Sequence, residues 1–249
     1  MKAFAALVAN TLRQQLGGKR LVLLLLLGLL PAGVLAVLLA NEPLPTGALK
    51  AFHEAPLGIL FFVVLPAASL VFGAGALGDE RRDGTLSFIL LRPLPRSVLA
   101  GAKLLGAWLA ALAVVGTGAV AMSVILGMRS GAWETLGPLL LAVALSSLAY
   151  IAVFLTVGYF TARAVLIGLV YVFVWESGMT NAIPSLASVS LGRIGLSAYH
   201  ALVPTAPVFA EDLLGVVTPG AGGAIAKAVV VAALGIGLVT LLLRHRDIT

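Results

Sequence analysis

The sequence predicts an all-α fold that crosses a membrane several times. Three observations predict it. Of 249 residues, 61% are hydrophobic and only 10% are charged, whereas a soluble domain of this size carries about 25% charged residues. The apolar residues gather into six runs of roughly 20 residues or more, the length that a hydrocarbon core about 30 Å thick demands. The basic residues stand at the ends of those runs, which reads as membrane topology, not as a nucleic-acid surface. Zero cysteines exclude disulfides, cysteine-held metals and thiol chemistry.

Each element follows from its own pattern. In residues 1–18, Phe4, Leu7, Val8, Leu12 and Leu16 fall at helical spacing, so this stretch predicts an amphipathic, interfacial helix that stops at Gly17-Gly18. No cleavable signal peptide is expected, because no small-x-small site precedes Asn41. The six predicted crossings are residues 21–40, 57–77, 98–126, 136–160, 162–179 and 224–243. The third and fourth exceed the span required, so tilt or projection is expected. Pro31 and Pro66 fall inside crossings and predict kinks.

The connections differ in character. Residues 41–56 hold Pro43, Pro45 and Gly47 and read as a loop. The tight link at 161–164 makes the fourth and fifth crossings a hairpin. Residues 180–223 are broken by Pro184, Pro204, Pro207, Pro219 and Gly222-Gly223. That pattern predicts an outer connection with short, re-entrant-like helices dipping into the outer leaflet. Residues 1–249 read as a single membrane domain with no soluble domain attached.

Orientation comes from the basic residues. With the amino terminus inside, twelve of the sixteen Lys and Arg face inward and four (Lys50, Arg129, Arg193, Lys227) face outward. The positive-inside rule therefore predicts both termini in the cytoplasm.

Residues 79–96 interrupt the apolar pattern most sharply. Asp79, Glu80, Arg81, Arg82 and Asp83 are too costly for hydrocarbon and must leave it. Gly84, Thr85 and the apolar run Leu86–Leu91 predict a short surface helix, capped by Asp83 or Thr85 and stopped by Pro93 and Pro95. Leu86, Phe88, Ile89 and Leu90 would anchor in a partner's groove, with the charges setting register.

Catalytic patterns are missing. The sequence has no G-x-x-x-x-G-K-[ST], no H-E-x-x-H and no G-x-S-x-G. His53, His200 and His245 fall in different connections and are expected to lie far apart. Ser146-Ser147 are expected to bond carbonyls one turn back or a neighbouring helix. Glu176, beside Trp175, reads as an outer-interface pair of acid and aromatic belt, with a gate or substrate contact as the sharper alternative. The glycines of the crossings are expected to let helices approach closely.

Asp79-Glu80-Arg81-Arg82-Asp83-Gly84-Thr85-Leu86, then Leu90-Leu91-Arg92-Pro93-Leu94-Pro95-Arg96, then Gly101-Ala102-Lys103 resemble the permease subunit of ABC-2 type ABC transporters. Tyr171–Glu176, Ser197–His200 and Arg244-His245-Arg246-Asp247 add to the resemblance. In size and layout the chain is similar to bacterial six-span permeases such as the one serving nitrous oxide reductase maturation. The resemblance implies a bacterial cytoplasmic (inner) membrane protein with two separate cytosolic ABC ATPase subunits, which bind ATP and Mg in place of any cofactor in this chain. It also implies a second permease copy joined through the second and fifth crossings, surrounding membrane lipids, and no nucleic acid partner. It leaves open an extracytoplasmic accessory protein. It makes the 79–96 region a coupling helix, carried by Glu80, Arg81, Arg82, Asp83, Gly84, Thr85, Leu86, Phe88, Ile89 and Leu90. The expected function is export of a substrate, or mechanical signalling, driven by ATP hydrolysis in the partner. A membrane-embedded enzyme using His200, Glu211 and Asp212, or a scaffold that moves no cargo, stands as the alternative.

Overall fold

A computed structural model describes residues 2–41, 45–86, 88, 91, 94–161, 163–179, 189–203 and 220–245. Among them there are helices and turns and no strand. Five helical stretches are long and apolar enough to cross a membrane: Leu21–Ala40, Gly47–Arg82, Arg96–Ser130, Trp133–Phe160 and Gly220–Arg244. The fifth predicted crossing is a shorter apolar helix, Ala164–Glu176, only about 20 Å long at 1.5 Å per residue.

The chain opens with α1 (Lys2–Gln15), which packs along the start of the third crossing. Gly18 turns the chain at φ 76° into α2 (Lys19–Asn41). The region read as a loop instead holds α3 (Pro45–His53) and α4 (Ala55–Ile59). Two of the prolines there act as starters: Pro45 opens α3, and Pro56 sits in the first turn of α4, where a missing N–H costs nothing; Pro43 lies outside the described residues. The second crossing continues through a π-helical segment, π1 (Leu60–Val64), into α5 (Leu65–Arg82). Pro66 explains π1. Its ring blocks the bond to the carbonyl four residues back, and a wider turn relieves the clash.

After the 83–95 connection come α6 (Arg96–Ser130), a 3-10 turn (Trp133–Thr135) and α7 (Leu136–Phe160). Gly131, left-handed at φ 78°, closes α6. The shorter apolar helix that follows is α8 (Ala164–Val170) continued by π2 (Tyr171–Met179). A short helix, α9 (Gly192–Leu202), and the last crossing, α10 (Gly220–His245), complete the described chain. Gly222-Gly223, expected to break the chain, lie inside α10. Pro184, Pro204, Pro207, Pro219, Glu211 and Asp212 lie outside the described residues.

The core is centred on α7, which packs against α5, α6, α9 and α10. Backbones touch where α2 crosses α6: a Cβ on Gly28 would lie 2.7 Å from the Val114 carbonyl oxygen. Gly116 and Gly237 face open space, so not every glycine of the crossings serves close approach. The 35 residues of α6 span about 52 Å. This exceeds a hydrocarbon core of about 30 Å. Its excess at the start is covered by α1, whose Thr11 and Phe4 meet Gly106 and Gly101. The amino-terminal helix therefore rests on protein along one face.

Candidate functional site

The charged segment after the second crossing does not all stand in solvent. Helix α5 runs on to Arg82, so Asp79, Glu80, Arg81 and Arg82 form its last turn. Asp83 is the C-cap residue and Gly84 follows in the left-handed region at φ 69°. Thr85 Oγ1 donates to the Glu80 carbonyl at 3.3 Å. Asp83 and Thr85 thus finish the preceding helix, where the sequence suggested they would start the next one. The orphan carbonyls of a helix end make that use of them favourable.

A helix repeats every 3.6 residues, so four consecutive charges cannot share a face. Glu80 turns inward, 6% exposed, and pairs with Lys103 of α6, 1% exposed. Arg81 donates to the Phe160 carbonyl at 3.2 Å and to that of Tyr159, with its guanidinium 5.7 Å from the Tyr159 ring centre. Arg82 pairs with Asp79 at 3.0 Å on the exposed side. Glu80 and Arg81 therefore tie the end of α5 to the adjoining ends of α6 and α7. Gln15 of α1 adds a bond to the Phe72 carbonyl at 3.3 Å.

Beyond this clamp the chain presents apolar surface. Leu86 and Phe88 are helical. Leu86 is buried in the core, which corrects its expected use as an anchor, while Phe88 is 71% and Leu91 is 81% exposed. Asp83, Gly84 and Thr85 are exposed too. Ile89 and Leu90 lie outside the described residues. Of the expected anchors that are described, Phe88 alone is open, and Leu91 joins it.

A second polar cluster lies at the other end of the molecule. Glu176 is fully buried within the chain, while Trp175 beside it is half-buried. Its Oε1 accepts from the Tyr171 hydroxyl at 3.1 Å and from the Leu191 N–H at 2.7 Å. Its Oε2 accepts from Ser190 Oγ at 2.5 Å. Ser190 Oγ in turn accepts from the Arg193 N–H at 3.2 Å. Burial pulls the Arg193 guanidinium below its ordinary range, and the Glu176 carboxylate works against that pull. Ser146 of α7 donates to the Gly192 carbonyl at 3.0 Å and accepts from the Gly195 N–H at 2.9 Å, the neighbouring-helix bonding expected of it. Ser147 bonds the Ala144 carbonyl one turn back. His53 of α3 joins its Nε2 to the Tyr199 hydroxyl at 3.0 Å. Two histidines expected to be far apart, His53 and His200, are thus drawn to one region.

The sequence reading gave Lys103 no partner, assigned Tyr171 and Arg193 no place beside Glu176, and did not single out Ser190. A charged residue inside an apolar run facing an acid of the adjacent helix end was the available signal for Lys103. No signal identified Tyr171, because five residues in an α-helix leave it about 140° away from Glu176.

Residues 16–183 match the family described as ABC-2 family transporter protein, well over half of the chain. The chain belongs to that family. Membership of the ABC-2 family and several apolar helices make it a multi-pass membrane protein. The matched stretch contains Glu80, Lys103 and Glu176, and it ends before Ser190 and α9. ABC-2 proteins of this kind are transmembrane subunits and not themselves enzymes. No protein of curated function matches the chain.

Proposed function

We propose that this ABC-2 protein is the permease of a bacterial inner-membrane exporter, with both termini in the cytoplasm, and that it takes its energy from two cytosolic ABC ATPase subunits. The observation that carries the reading is the exposure of Phe88 and Leu91, which follow helix ends clamped by Glu80–Lys103 and Arg81–Phe160. An apolar knob of this kind fits a helix-in-groove contact, and its rigid mounting passes a push on the knob to α5, α6 and α7 together. ATP and Mg belong to the ATPase, whose nucleotide-driven closure supplies the push. The ten residues assigned to coupling divide by what they touch: Phe88 meets the partner, Glu80, Arg81 and Leu86 hold the mount, and Asp83, Gly84 and Thr85 form the elbow between them. Arg82 stands exposed beside the contact, and Ile89 and Leu90, outside the described residues, keep the anchoring role expected of them.

A second copy of the chain completes the assembly. Val165, Leu166, Leu169, Val170 and Phe173 form an exposed apolar row on α8 and π2. The 7 residues of α8 and 9 of π2 span about 24 Å, short of a hydrocarbon core of about 30 Å, and association with another protein relieves such mismatch. The second crossing offers less, because most of α5 is packed inside its own chain.

Co-expression with the ATPase tests the reading. The wild-type chain is expected to co-purify with it and to hydrolyse no ATP alone. Phe88→Asp should abolish co-purification while leaving membrane insertion and thermal stability unchanged. Retention of the ATPase by Phe88→Asp would remove Phe88 from the contact.

A further inference from the structure

We propose that α9 is a detachable plug in the outer half of the molecule, seated by polar bonds from three separate helices, with Glu176 as its positioning residue. The inference shares the orientation of the permease reading and adds an element that reading does not use.

Helix α9 is 11 residues long, too short to cross, yet everything from Gly192 to Tyr199 is buried. It leans on α7 near Ala142 and Ser146, about 9–15 Å along a helix that begins at Leu136. Gly195 brings its backbone there, since a Cβ would lie 2.5 Å from Ser146 Oγ. The seat has three points. Glu176 from π2 caps the start of α9 through the Leu191 N–H and Ser190 Oγ. Ser146 from α7 holds Gly192 and Gly195. His53 from α3 holds Tyr199.

Two features mark this seat as releasable. Much of the seated face is small or polar (Gly192, Arg193, Gly195, Ser197, Ala198), and the bonds that hold it can be exchanged for water. The carboxylate that caps it rides on a π-helical segment, and π segments concentrate at functional positions. The π register is what brings the Tyr171 hydroxyl onto Glu176 five residues later, at 3.1 Å. A return to α register ahead of Glu176 turns its side chain by about 100°. That rotation breaks the bonds to Tyr171, Ser190 and Leu191 together. The other π segment, π1, packs against both π2 and α9, so a shift of one reaches the seat from a second side.

The absence of cysteine makes the test direct. Single cysteines are placed at Ala198 in α9, at Ala119 as a buried reference in α6, and at Met128 as an exposed reference at the end of α6. Whole cells are treated with a membrane-impermeant maleimide. Met128→Cys should label rapidly, and failure there would reject the assumed orientation and so the permease reading. Given that labelling, Glu176→Gln is expected to speed modification of Ala198→Cys at least tenfold and to leave Ala119→Cys protected. Ser146→Ala and Tyr199→Phe remove the other seats and should each speed it severalfold. They decide the matter should Glu176→Gln fail to reach the membrane. Equal rates in all Ala198→Cys backgrounds would overturn the proposal. So would parallel acceleration at Ala119, which marks a general loosening of the bundle.

Discussion

Glu80 and Glu176 are both carboxylates at the edge of an apolar run, and the chain buries both, Glu80 against Lys103 and Glu176 against Tyr171, Ser190 and Leu191. For Glu80 the partner is a single cation. Taking one member from a buried ion pair leaves the other charge uncompensated and costs about 3–5 kcal/mol, whereas replacing both by apolar residues is often neutral. Glu80→Gln is therefore expected to lower the thermal midpoint of the purified chain sharply. Glu80→Leu combined with Lys103→Met should recover most of the loss. Midpoints that fall further in the double variant than in the single one would show that the clamp needs its charges. At this scale the sequence was only partly legible. It gave the acidic and basic residues that must avoid lipid, but solvent and a buried partner are both ways of avoiding it. Chain order alone does not choose between them. Leu86 and Phe88 make the same point, two apolar residues two positions apart that a helix turns to opposite environments.

Elements were more legible. Long apolar runs marked five crossings because bilayer thickness leaves few alternatives. The amino-terminal helix followed from its periodicity. What misled was proline between residues 41 and 56, where Pro45 and Pro56 begin helices; a proline at a first turn and a proline in a loop look alike without their neighbours. The π segments are illegible for another reason: apolar residues repeat every 3.6 positions in an α-helix, and both segments depart from that period. The elbow between the clamp and the exposed turn depends on Gly84 at φ 69°. A side chain in that region costs about 1–2 kcal/mol. Gly84→Ala should weaken ATPase retention and lower the midpoint modestly, with Gly84→Asn closer to wild type. An unchanged pull-down for Gly84→Ala would show that the angle of the elbow is unimportant.

At the scale of the whole molecule, two polar clusters sit at opposite ends of one apolar bundle. The clamp of Glu80, Lys103 and Arg81 unites three helix ends beside an exposed knob, and the cluster around Glu176 seats a buried short helix. Helices α5, α6 and α7 pack together between the two ends. A stroke delivered at Phe88 thus has a stiff route to α9, since α7 carries Phe160 near the clamp and Ser146 at the seat. Where Phe88 faces and what it meets decide whether such a stroke is delivered. A Phe88→Cys variant, treated in membranes with an impermeant thiol reagent from each side and with a photo-cross-linker in the presence of the ATPase, measures both at once. The expected result is modification from the cytoplasmic side alone and a cross-link to the ATPase. Modification from the exterior, or a cysteine accessible inside that captures no ATPase, would contradict it.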